Sequence, residues 1–267
     1  MDSNELLKKV RKIEIKTKGL SQNIFAGEYH SAFKGRGMTF SEVREYQYGD
    51  DVRDIDWNVT ARHNRPDIKV YEEEREMIAE IAATLAFSAI QNNDKVGLMF
   101  FTDKIEKFIP PKKGKKHILL LIREMLEFKP ESSGTDVNLA LEYLTSVLKK
   151  RCATFLVSDF IDTHDYYKTM SIASRKHDLT AIQVYDKRET QLPDVGLMKM
   201  LDAESGEVKW VDTSSKKVRQ AYNKWWYERQ LAMNVTMQRC KVEVASIATD
   251  EDYVKSLMGL FKKRGTR

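Results

Sequence analysis

Three short apolar runs, "VGLMFF", "TFLVS" and "AIQVY", are each closed by an aspartate (Asp103, Asp159 and Asp186) and are separated by stretches of helical period. Runs that are apolar without alternation are expected of strands buried on both faces. Strands of this kind alternating with helices imply right-handed crossovers and a parallel sheet between helix layers. The spacing predicts helices from about His117 to Glu127, from Asp136 in "SSGTDVNLALEYLTSVLKK", and over "HDYYKTMSIASRKHD". Upstream, Ile78, Ile81, Ala82, Leu85, Ala86, Ala89 and Ile90 recur at three and four, the stripe of a helix that covers a sheet. Downstream, "MLDAESGEVKWVDT" reads as a hairpin, followed by a long helix from about Ser214 to Gln238, a strand "KVEVASIA" and a terminal helix.

The chain divides into three parts on this reading. Residues 1–76 hold a helix and a small β segment, 77–190 the α/β domain, and 191–267 a hairpin, helix, strand and helix packed on the core. With 267 residues, 42% hydrophobic and 32% charged, there is enough apolar material for one large core. The 45 basic and 40 acidic residues nearly cancel to +5, so composition alone predicts no strong field for nucleic acid. Cys152 and Cys240 match no zinc or redox spacing and suit a reducing compartment. No run approaches membrane-spanning length, and a cytoplasmic protein is expected.

Open parallel sheets bind ligands beyond the carboxyl ends of their strands. Asp103, Asp159 and Asp186 are therefore expected on one edge, with the Thr135 hydroxyl of "SSGTD" beside them. Hydroxyls, carboxylates and waters suit a hard divalent cation such as Mg2+. The plainer alternative is that the aspartates make turns and that Thr135 or Asp136 caps a helix. The histidines His30, His63, His117, His164 and His177 show no ligand spacing, and no Gly-rich phosphate loop or catalytic nucleophile motif is present. The aromatic run "YNKWWYERQ" fits packing of a helix onto the core, or stacking on bases or in a partner groove.

A second acidic cluster lies in "YGDDVRDIDW", Tyr48 to Trp57. Side chains alternate along a strand, so Arg53 and Trp57 point opposite to Asp54 and Asp56, and the aspartates do not all converge on one ion. Gly49 and Asp50 read as turn residues, while Arg44, Arg53 and Arg62 have Asp54, Asp56 or Glu72 as ion-pair partners. A structural or partner-facing ion-pair network is the expectation here.

The stretch "GRGMTFSEVREYQYGDDVRDIDWNVTARHNRPDIKVYEEER" resembles the signature of the bacterial domain of unknown function 58 family. By that resemblance Arg44, Tyr46, Gly49, Asp50, Arg53, Asp56, Trp57, Arg62 and Glu72 form an interaction or structural signature. The following region resembles a von Willebrand factor A-like, Rossmann-like fold. The resemblance implies a metal-ion-dependent adhesion site in which Thr135 is the loop threonine and Asp159 the late aspartate, holding Mg2+ or another divalent cation. It also implies a non-catalytic adaptor that works with a MoxR-type AAA+ ATPase and a client protein. An alternative is a metal-dependent phosphohydrolase or nuclease using the acidic strand ends.

The family pattern places a strand of the type "LLVDVSGS" between "EEERE" and the helix at Ile78, and this sequence has neither that strand nor any aspartate-x-serine-x-serine. Losing a central strand orphans its neighbours' backbone groups, a loss on the order of a domain's whole 5–15 kcal/mol margin. A segment missing between Met77 and Ile78, a true deletion, or a shift of "DIKVYEEE" into the vacant place are the three explanations.

Overall fold

The computed structural model describes residues 10–14, 17, 43–45, 67–69, 73–132, 134–201 and 208–265. At its centre is a parallel three-stranded sheet, β5 (Ala153–Ser158), β6 (Asp178–Tyr185) and β9 (Glu243–Ala248), with β6 in the middle. Register runs Leu156 to Ala181 to Val244 across the three strands. Alternation along β6 divides its side chains between two helix layers. Ile182 and Val184, with Ala245 and Ile247 of β9, pack against α1 (Glu73–Gln91) and α6 (Tyr253–Gly265) through Met77, Ile81, Leu257 and Leu260. Leu179 and Ala181, with Leu156 of β5, face α3 (Val137–Val147), α4 (Tyr167–Lys176) and α5 (Lys216–Arg239) through Leu141, Met170, Met233 and Met237. The chain is thus an α/β protein with a helix-flanked parallel sheet, as the alternation of runs and helices predicts.

The run "VGLMFF" departs from expectation. It forms β3 (Val96–Phe101), which pairs antiparallel with β4 (Ile105–Lys112) in a hairpin of its own and does not join the parallel sheet. All but one of its residues are of intermediate burial, and Gly97 is exposed. The sequence pattern missed β4 because "KIEKFIPPK" carries lysines and two prolines, which suit an edge position. Gly97 is required here: a Cβ would come within 2.9 Å of the Ile109 carbonyl oxygen across the hairpin. Val96, Leu98 and Phe100 pack on a second face of α1, with Ala79, Ala83 and Phe87, and on α2 (Lys115–Glu127), with Ile118 and Ile122. Among the described residues β3 pairs only with β4 and β5 only with β6, so the β3–β4 hairpin and the parallel sheet are separate pieces under one shared helix.

Two further antiparallel pairs complete the strands. β1 (Val43–Glu45) pairs with β2 (Asp67–Lys69), and β7 (Leu197–Leu201) with β8 (Val208–Asp212). The first pairing bears on the vacant place in the sequence pattern: the strand part of "DIKVYEEE" lies beside Arg44, not between β3 and β5.

Candidate functional site at the strand ends

The loops after β3 and β5 and the one that enters α3 are joined by hydrogen bonds. The amide of Asp136 donates to the Thr102 carbonyl at 3.0 Å, which ties the entrance of α3 to the end of β3. The Thr102 hydroxyl donates to Glu106 at 2.9 Å, and the same carboxylate oxygen accepts the amides of Glu131 and Ser132 at 3.1 and 3.2 Å. Asp103 stands beside Gly134, where an added Cβ would lie 3.2 Å from its own. A hydrogen bond from the Ser132 side chain holds its carboxyl below the usual carboxylate range, and burial opposes this.

Asp162 is the most engaged group of the rim. Its Oδ2 accepts the Val137 amide at 2.8 Å, and its Oδ1 accepts both the amide and Nδ1 of His164, at 2.7 and 2.8 Å. Its side chain is wholly inaccessible, whereas that of His164 is 57% exposed. Arg229 of α5 donates to the carbonyls of Phe160 and Asp162 at 3.4 and 3.1 Å, bringing a third element onto the same loop. Phe160 is held in the left-handed region at φ 57°, a strain of about 1–2 kcal/mol for a side chain of this size. Its amide bonds the Ser158 hydroxyl at 3.0 Å and its ring is buried, so packing sustains the strain.

The sequence-derived residues fall as follows. Asp136 caps α3, its Oδ1 accepting the Leu139 amide at 3.0 Å, as the plainer reading expects. Thr135 is half-buried immediately before it. Asp159 is exposed, and its Oδ1 accepts the Ile161 amide at 2.9 Å and the Ser158 hydroxyl at 3.3 Å, a local turn. Asp186 is buried at the end of β6. Asp103, Asp159 and Asp186 do not gather into a metal-competent group among the described residues. The group that does is Asp136, Asp162 and His164, whose ligand atoms all lie within 4.8 Å of one another. The histidines show no ligand spacing along the sequence, and the proximity of His164 to Asp136 arises only across two loops of the fold. Of the signature, Arg44 lies in β1; Tyr46, Gly49, Asp50, Arg53, Asp56, Trp57, Arg62 and Glu72 lie outside the described residues.

Two carboxylates and an imidazole could coordinate a divalent metal. An imidazole suits zinc, iron or nickel better than Mg2+, which takes oxygen ligands. Of the Mg2+ or other divalent cation that the resemblance implies, the set fits the latter better.

Fold and rim together define an α/β protein with a tightly tied carboxylate edge. The profile of the family described as "Protein of unknown function DUF58" matches residues 42–78 and 74–231, and the chain belongs to that family. An uncharacterized protein of Mycobacterium bovis is 23% identical over 290 residues, covering 99% of this chain and 91% of the relative, and one of Mycobacterium tuberculosis has the same values. Among solved structures, BatB from Bacteroides thetaiotaomicron is 14% identical with a TM-score of 0.43, covering 72% of this chain and 89% of that one. An aerotolerance-related membrane protein from Bacteroides fragilis is 11% identical with a TM-score of 0.45 over the same shares. At these scores neither likeness carries an argument about this chain.

The profile match divides at residues 74–78, at the start of α1. The alignment to the mycobacterial relatives extends over 290 positions, more than the 267 residues of this chain. Relatives therefore carry residues without counterparts here.

Proposed function

We propose that this chain is a non-catalytic protein-interaction module of von Willebrand factor A-like type, which presents the rim beyond β3, β5 and β6 to a partner. The observation that carries the reading is the fixation of Asp162. Three donors and zero exposure make it a structural tie between α3 and the loop after β5, so the rim keeps one shape. A surface fixed before binding loses little conformational entropy on association, which favours recognition. Asp159, exposed on that rim, is the charged contact the partner meets.

The family resemblance supports a MoxR-type AAA+ ATPase as the partner, with the module recruiting a client protein to it in the cytoplasm. The adhesion-type site is degenerate on this reading. Thr135 and Asp159 are its remaining members, and the serine-bearing strand that would complete it has no counterpart in the sequence. Recognition then rests on the rim's own carboxylates and needs no cation.

Co-purification of the full chain with its cognate MoxR-type ATPase, and stimulation of that ATPase, test the reading. Asp159→Lys should weaken the complex by about tenfold, since reversing a contact charge costs on the order of 1.4 kcal/mol or more, while the lost turn bonds from Ile161 and Ser158 lower the melting temperature by no more than about 4 °C. Absence of any complex, or a complex indifferent to Asp159→Lys, overturns it.

A further inference from the structure

A nucleophilic group that the rim does not use lies at the opposite end of the parallel sheet. Cys152 stands immediately before β5 and His177 immediately before β6, and the amide of Asp178 donates to the Cys152 carbonyl at 2.9 Å, which fixes the two segments side by side. The Cys152 sulfur is 3.3 Å from Nδ1 of His177 and 3.4 Å from the Thr154 hydroxyl. Cys152 is partly exposed, whereas His177 is fully buried at the end of α4.

The tautomer of His177 follows from its other nitrogen. Nε2 is buried and has no hydrogen-bond partner among the described residues. A proton there would be an orphaned buried donor, the costlier of the two ways to leave a ring nitrogen unpaired. The ring carries one proton at neutral pH, because burial, with Lys176 adding to it, holds its pKa below the ordinary histidine value. That proton therefore sits on Nδ1 and is directed at the sulfur. The Thr154 hydroxyl is placed to donate to the same atom. Donors aimed at sulfur favour the thiolate, the form of cysteine that attacks.

We propose that Cys152 is a modification site that takes low-molecular-weight disulfides by thiol–disulfide exchange. The thiol proton leaves to water, and the thiolate attacks one sulfur of the disulfide. A new S–S bond forms to Cys152 as the old one breaks, and the bonding pair leaves with the second sulfur as a thiolate. Cys152 is oxidised as the departing sulfur is reduced, so no other oxidant enters. Partial exposure restricts the partner to a small one. The chain offers no resolving thiol nearby: Cys240, its other cysteine, is buried with its sulfur against the Tyr167 carbonyl, at the opposite end of α4 from His177 and about 15 Å away along that helix. The adduct therefore persists until an external thiol removes it.

Reaction of the full chain with dithiodipyridine, a small disulfide that releases a UV-absorbing thione, tests the site. The expected result is one fast equivalent from the folded chain and a second only on unfolding in urea. Mass spectrometry should place the first adduct on Cys152, a reducing thiol should reverse it, and Cys152→Ser should abolish it. Stabilising a thiolate raises its population and lowers its nucleophilicity, so the gain in rate is modest. In Cys240→Ala, where Cys152 is the sole thiol, the folded chain should react about threefold faster than the same chain in urea. His177→Leu should slow the folded chain by about threefold or more, whereas His177→Asn, which keeps an N–H donor near the place of Nδ1, should retain most of the rate. Circular dichroism confirms that each variant is folded, and the folded-against-unfolded comparison decides the matter without any change at His177. A Cys152 no faster in the folded chain than in the unfolded one overturns the proposal, as does a first adduct on Cys240 or a rate that His177→Leu leaves unchanged.

Discussion

Around β6 every residue from Leu179 to Val184 is buried, and helices cover both faces; in β3 no residue falls into that class, and the only strand beside it in the described structure is β4. β3 has the more apolar sequence, since β6 also carries Asp178, Thr180 and Gln183, and both rest on α1. What sets their burial apart is their surroundings. β6 has a hydrogen-bonded strand on each side, so its backbone is satisfied and its side chains complete two cores, while β3 has one partner and one packed face. Apolar composition earns burial only where neighbours on all sides exclude water.

The sharpest way to break this comparison is to cut the same chemistry from both strands. Ile182→Ala, at a position with no exposure, should cost about 3–4 kcal/mol in urea unfolding, and Leu98→Ala in β3 about half as much, because cavity and transfer terms both scale with burial. Equal losses would mean that β3 is as enclosed as β6. Next in size is the rim. Asp162→Ala removes the acceptor of the Val137 and His164 amides and should cost about 2–3 kcal/mol by the same measurement, leaving a buried donor unpaired.

The amino end of the parallel sheet supplies a third test. His177 is fully buried just before β6, its Nδ1 3.3 Å from the Cys152 sulfur, and burial, with Lys176 adding to it, holds its pKa below the ordinary histidine value. The unfolded chain takes up this proton near pH 6.5 while the folded chain resists it, so the unfolded state binds more protons in that window. Stability should therefore fall as pH drops from 7 toward 5, by at most about 1.4 kcal/mol per pH unit from this group. Urea midpoints across that range should flatten in His177→Gln. The smallest effect is expected from Asp159→Ala, an exposed turn residue, at under about 1 kcal/mol. A loss as large as that of Asp162→Ala would reverse the assignment of the structural tie.

The parallel strands, the helices between them, the β7–β8 hairpin and the α5 helix were legible from period and length, because each depends on its own residues and one covering layer. β4 was not, since lysines and prolines at an edge carry little apolar signal. The antiparallel placement of β3 was also hidden: pairing direction depends on which strand lies alongside, and alternation within a run does not encode it. At the rim, the capping role of Asp136 follows from its position before "VNLALEYL". Asp162 and His164 were missed because "DTH" is a short local turn as a string, and its third member, Asp136, arrives from 26 residues earlier through the fold. The one available signal was an aspartate two residues before a histidine just beyond a strand end.

The third strand of the parallel sheet comes late in the chain. β6 closes at Tyr185, and its second neighbour, β9, begins at Glu243 only after a hairpin and the 24-residue helix α5 have intervened. On the ribosome, β5 and β6 therefore emerge with one flank of β6 open, and the sheet is complete only once β9 has been made. Closing a loop of this length is a slow, non-local step. Until it happens the flank of β6 is an adhesive edge, and a nascent chain stalled before Glu243 should be drawn into aggregates or held by chaperones, whereas one released after Ala248 should not.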